Sequence, residues 1–368
     1  MKTLLSCITL LLALSHGVAV AIAEPIRVGA IVPLTGAVAP WGERVRIGLE
    51  TANEMQGHPF RITFEDEGAC EAKKALAAYR KLVLVDKVQI IFLSCLSGTE
   101  AIVPVAAKDS VILLSLGLLN ERVLKSGARL VNLATEIGTE AESLAEYVAR
   151  EKPGSLAGIF FADAFGQEFS RILNDRLRSA GFPFVKTDEA DPQIQTFKPL
   201  ILQWKQRKVD VLVTTLADKQ QVVLLKEMKE LGFKPRIISS YTLECFAPAR
   251  EDRILFEGIK YTHPVNSSEN SPTQSEFKNA LVLREQPNQS TNINAFFAYD
   301  GLKFLSAGLS NCGNDNAACL YEYFINLGLR HGVSGEMFFE KSGALSRPYG
   351  LKVVSSGEFT WVEQKRIS

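Results

Sequence analysis

Ile26-Arg27-Val28-Gly29-Ala30-Ile31-Val32-Pro33-Leu34-Thr35-Gly36 decides the fold. A short apolar, β-branched run closed by proline and glycine predicts a buried strand and the loop that leaves it. The next segment, Trp41 to Met55, puts Trp41, Val45, Gly48, Leu49, Ala52 and Met55 on one face at helical spacing. Outward from there the pattern repeats: strand-like runs at 60–64, 88–93 and 111–114, with a helical face made by Ala72, Ala75, Leu76, Tyr79, Leu82 and Val83. Alternating β-α-β-α order predicts a parallel sheet with helices on both sides.

A second set follows a helix near 140–151: strands at 156–161, 184–187, 209–215 and 236–239, with helices at 166–180, 197–207 and 219–231 between them. The remainder shows helical patterns at 273–284, 293–309 and 317–329 and too few strands for a third domain, so it is expected to pack on the first set. The fold class expected is α/β, two doubly wound lobes with parallel-sheet cores joined by several crossings. The first lobe takes 24–139 and 264–341, the second 140–263 and 342–368. Ligands of such sheets bind beyond the carboxyl ends of the strands, so two facing lobes predict a cleft that closes about the crossings.

Residues 1–23 read as a cleavable export signal: Lys2, a long apolar stretch, and Ala21-Ile22-Ala23 before Glu24. Without them the chain has 40 basic and 41 acidic residues and no strong run of either sign, which gives no reason to expect a nucleic-acid partner. No later stretch has the roughly 20 uncharged apolar residues of a membrane span. Export implies an oxidising compartment, the periplasm, where the five remaining cysteines divide most simply into two disulfides and a free thiol. Cys312 and Cys319 are near neighbours that pair readily, and Cys245 reads as the odd, buried one. His58, His263 and His331 have no metal-site spacing, and no P-loop, G-x-G-x-x-G turn or nucleophile elbow is present, so an enzyme, a metal site and a cofactor are not expected.

The opening stretch with Trp41-Gly42-Glu43, together with Glu65-Asp66-Glu67-Gly68-Ala69-Cys70, Leu93-Ser94-Cys95-Leu96-Ser97-Gly98-Thr99, Ser334-Gly335 and Lys341-Ser342-Gly343, resembles the periplasmic leucine/isoleucine/valine-binding protein family along the whole exported chain. The resemblance implies a Cys70–Cys95 disulfide. It also implies capture of a small molecule without catalysis, by a protein expected to be a monomer, and delivery to an inner-membrane transporter, most simply an ABC permease.

By the resemblance, the ligand-facing positions are Trp41, Leu96, Ser97, Gly98, Gly117, Leu118, Leu119, Phe165, Leu216, Tyr241 and Glu244. Many depart from the family pattern. Leu96 stands at a hydroxyl position with Ser97 beside it, and Leu119 falls where a threonine holds the ligand carboxylate. Phe165 replaces a tyrosine and Leu216 an aromatic residue, while Glu244 comes a few residues after the expected ammonium-binding acid. A desolvated amino acid needs partners for both of its charges, and leucines supply none. The expected ligand is therefore poorly polar: an aromatic or alicyclic acid, or a lipid or sterol-like molecule. The alternatives are a conventional branched-chain or aromatic amino acid, held by Ser97, Thr99 and Glu244 after a small shift of alignment, or a ligand-sensing role with a signalling partner.

Overall fold

The computed structural model describes residues 24–245, 252–267, 271–284, 292–313 and 315–364; the export signal lies outside them. Five parallel strands form the first sheet: β1 (Ile26–Val32), β2 (Phe60–Asp66), β3 (Ile90–Leu93), β4 (Ile112–Ser115) and β5 (Leu130–Asn132), in the order β2-β1-β3-β4-β5. β3 and β4 are buried along their whole length, as their unbroken apolar sequences require of strands covered on both faces. β5 has only three residues, too few to show a period, and was not among the expected strands.

The second sheet repeats this winding with β6 (Leu156–Phe161), β7 (Phe184–Ala190), β8 (Val211–Thr214), β9 (Arg236–Ser239) and β10 (Lys260–Pro264), parallel in the order β7-β6-β8-β9-β10. In both lobes the first strand lies between the second and the third, so successive connections leave in opposite directions and open a crevice at that point.

The last part of the chain departs from expectation. Instead of helices alone it supplies β11 (Gly328–Gly332), β12 (Gly335–Phe339) and β13 (Leu345–Ser346), a small antiparallel sheet. The final helix stops at Ile325, short of the expected 329. Then β14 (Tyr349–Ser355) and β15 (Glu358–Gln364) extend the second sheet as an antiparallel hairpin beside β10. Ser356 and Gly357 both have positive φ, the backbone a two-residue hairpin turn needs. β13 pairs with β12, and the chain joins the second sheet at Tyr349, the first residue of β14.

Helix Ile293–Cys312 packs on helix Ala39–Met55 of the first lobe, and a Cβ at Gly48 would lie 2.3 Å from the Ala295 carbonyl oxygen, so only glycine permits this approach. The crossings are stitched by buried Arg347. Its Nε donates to the Ala134 carbonyl (2.7 Å), Nη2 to Leu133 (2.8 Å) and Nη1 to Ser334 (3.1 Å), and the guanidinium lies 4.3 Å from the Phe297 ring centre. Val265 N–H donates to the Pro348 carbonyl at 2.8 Å, joining the other two crossings. Both disulfides are formed, Cys70–Cys95 and Cys312–Cys319, and Cys245 is a buried free thiol.

Candidate functional site

The loops after β1, β3 and β4 of the first lobe meet those after β6 and β9 of the second around a partly open space of about 60 Å³. Its first-lobe wall is made by Val38, Trp41, Ser94, Leu96, Leu118, Asn294 and the Cys70–Cys95 disulfide. The second-lobe wall is made by Phe161, Asp163, Phe165, Tyr241, Thr242 and Cys245. Helix Leu96–Ala106 of the first lobe also contacts helix Ala164–Ser179 of the second, so the lobes touch outside the crossings and the cleft is closed.

Most of the lining is apolar or aromatic, and its polar groups fall into two sets. In the first set, Trp41 Nε1, Ser94 Oγ and both amide atoms of Asn294 are buried with no hydrogen-bond partner among the described residues. Polar atoms left so cost on the order of 1–3 kcal/mol each. The second set is already engaged. Asp163 caps helix Ala164–Ser179, its Oδ1 accepting the Gly166 N–H at 2.8 Å, and burial raises its pKa despite that bond. The Thr242 hydroxyl lies 2.8 Å from the Ser240 hydroxyl. Tyr241 N–H donates to Glu140 Oε1 at 3.3 Å, and burial pushes that carboxyl up to about 8. Burial likewise raises the Cys245 thiol well above its ordinary value.

Trp41, Leu96, Leu118, Phe165 and Tyr241 are brought together from the expected set. Six others lie elsewhere, each for a physical reason. Ser97 turns its hydroxyl to the Cys70 carbonyl (2.7 Å). Gly98 is covered by buried Glu67, whose Oε2 would lie 2.4 Å from a Cβ there. Gly117 is pressed on the chain behind the wall, where a Cβ would sit 1.8 Å from the Ser94 carbonyl oxygen. Leu119 is fully buried, and its N–H donates to the Thr135 carbonyl. Leu216 packs in a second-lobe core with Ile159, Leu212 and Leu224.

Glu244 is the sixth, and it is spent. Its Oε2 accepts from Lys352 Nζ at 2.8 Å and from the Tyr261 hydroxyl at 2.7 Å, with His263 Nε2 at 3.4 Å. Burial alone would raise this carboxyl, but Lys352, then His263 and Tyr261, outweigh it and hold the pKa below its ordinary value. Its charge is thus matched inside the second lobe by Lys352 rather than directed into the cleft.

Ser94, Phe161, Asp163, Thr242, Cys245 and Asn294 line the space without having been expected there. Phe161 and Asp163 flank the end of β6 and carried a usable signal, an Asp-x-x-Gly helix start directly after a strand. Asn294 carried almost none: it comes from a helix remote in sequence from every cleft loop, and only its place as an amide in an otherwise apolar stretch sets it apart.

Two doubly wound lobes closed over a small apolar space define a ligand-capture protein of the two-lobed binding-protein class. The family profile described as periplasmic binding protein matches residues 25–358, and the chain belongs to that family, in its type I, leucine/isoleucine/valine-binding group. The Leu/Ile/Val/Thr-binding protein of Salmonella typhimurium is 22% identical over 370 residues, covering 98% of this chain and 96% of that one. Among solved structures, an ABC-transporter solute-binding protein from Rhodopseudomonas palustris HaA2 in complex with p-hydroxybenzoic acid superimposes with a TM-score of 0.83 at 15% identity, covering 93% of this chain and 97% of that one. The substrate-binding protein LivJ of Streptococcus pneumoniae in complex with isoleucine does so with a TM-score of 0.80 at 15% identity, covering 94% and 100%. The chain is thus a solute-binding protein of the ABC-transporter type, and its relatives are binding proteins rather than enzymes.

Proposed function

We propose that this protein captures a compact aromatic carboxylic acid in the periplasm and delivers it to an inner-membrane ABC permease. The observation that carries the reading is the fate of Glu244: the acid nearest the family's ammonium site is neutralised by Lys352, while Phe161, Phe165 and Tyr241 face Leu96 and Leu118 across the space. Such walls favour a ligand with ring surface, at about 25 cal/mol per Å² removed from water. Structural neighbours in complex with p-hydroxybenzoic acid and with benzoate agree with the reading.

A second reading, a free amino acid, is favoured by Asp163, a carboxylate in the lining on which an ammonium would dock. Thermal unfolding of ligand-stripped protein with benzoate, 4-hydroxybenzoate, leucine and phenylalanine separates the two. A ligand at about one hundred times its dissociation constant stabilises the folded state by about 2.7 kcal/mol, a readily measured upward shift. Shifts with the benzoates alone support the proposal; shifts with the amino acids alone overturn it.

A further inference from the structure

The unpaired side-chain polar atoms that line the cleft among the described residues all belong to the first lobe, and each of the three side chains brings at least one donor. Trp41 Nε1 is a donor only, the Ser94 hydroxyl carries a donor, and the Asn294 amide carries two. Ser94 is 0% and Asn294 1% exposed, and both line the space, so a ligand held there would meet them. The Asn294 amide lies within hydrogen-bonding reach of the Cys245 thiol, a poor acceptor. No lysine, arginine or histidine is in the lining. This wall thus offers neutral donors. The opposite wall offers rings.

We propose that Trp41, Ser94 and Asn294 form the seat of the ligand's carboxylate, with the ring directed across the cleft toward Phe161, Phe165 and Tyr241. The assignment rests on the aromatic-acid reading for its ligand, but the seat would serve the carboxylate of any small acid. It replaces the seat that the family resemblance implied at Leu96 and Leu119, which can offer no side-chain donor. Asn294 becomes a specificity-determining residue: its amide donates to carboxylate oxygens, and an acid at the same place would repel them.

The test is calorimetric titration of benzoate, and separately of leucine, into the wild type, Ser94→Ala, Asn294→Leu and Asn294→Asp, with an unfolding curve of each ligand-free variant. Ser94→Ala and Asn294→Leu should each weaken benzoate binding about tenfold or more, and Asn294→Asp more than either, since an unmade hydrogen bond to a charged group is costly. Ligand-free Ser94→Ala and Asn294→Leu should be at least as stable as the wild type, because each removes an unpaired buried polar group. A merely structural role would lower stability and is thereby excluded or revealed. Benzoate binding by the wild type that persists unchanged in both variants overturns the seat and leaves the aromatic-acid reading standing. Binding of leucine instead of benzoate, lost in the variants, supports the seat and overturns that reading. Binding of neither acid by the wild type overturns both. Should Asn294→Leu fail to fold, Ser94→Ala decides.

Discussion

Removing the cation from the Glu244 cluster should destabilise the second lobe without removing any group that lines the cleft. In Lys352→Met the side chain keeps its apolar stem beside the Trp361 ring, over which the ammonium lies at 4.8 Å, but Glu244 loses its only fixed cation. Tyr261 still donates, at 2.7 Å, and burial, the larger cause of the lowered His263 pKa, still favours the neutral imidazole. Breaking a buried pair from one side costs about 3–5 kcal/mol, which for a lobe of this size lowers the unfolding midpoint by roughly 6–20 °C. Replacing both partners, as in Glu244→Gln with Lys352→Met, should recover most of the loss, because two neutral groups carry no desolvated charge. Urea unfolding followed by tryptophan emission is the assay, since Trp361 lies directly against the pair. A loss under about 1 kcal/mol for Lys352→Met would refute the buried pair. Equally damaging would be a Glu244→Gln variant that folds normally but no longer binds ligand, because Glu244 would then be a ligand anchor.

Two further outcomes follow from the same physics. Neutral His263, facing Lys352, Glu244, Tyr261 and Tyr241, has a folded pKa of about 4 against an ordinary 6.5, so only the unfolded chain takes up its proton in that interval. Stability should fall by about 3 kcal/mol as pH drops from about 6.5 to 4, and His263→Gln should flatten that limb. Glu67 behaves oppositely: burial raises its carboxyl to about 8, so its stabilising contribution is complete below the ordinary 4.5 and is lost as pH rises toward 8. Glu67→Gln should therefore gain on the wild type with rising pH in denaturant titrations; a constant difference would contradict the assigned burial. Finally, Leu119→Thr should destabilise the first lobe by about 1–3 kcal/mol and leave ligand affinity unchanged, since it places a hydroxyl in a dry core. Leu96→Ser, in the cleft wall, should change affinity at little cost in stability. An affinity change from Leu119→Thr would return that residue to the site.

The legibility of this protein followed the range of the interactions involved. β1, β6 and β9 run over the residues expected, because an apolar run between loop signals is a local property. The short β5 and the antiparallel β11 to β15 were not read, since three residues have no period and β11 is exposed along most of its length. At the site, Trp41, Leu96, Leu118, Phe165 and Tyr241 were legible through the family resemblance, which places its ligand beside loops that follow strands.

Sequence by itself determined the two-lobed winding and the Cys312–Cys319 pairing, which depend on a repeated pattern or on near neighbours, while the Cys70–Cys95 disulfide and the apolar cleft positions came from the family resemblance. Only the tertiary structure decided which polar groups are spent and which remain. Glu244 is neutralised by Lys352, 108 residues away, on the antiparallel strand β14. Asn294 reaches the cleft from a helix that closes on Ala39–Met55 only because Gly48 lets it approach. A carboxylate or an amide looks the same in a sequence whether paired or free. Its pairing is settled by partners that the folded chain brings from far along it.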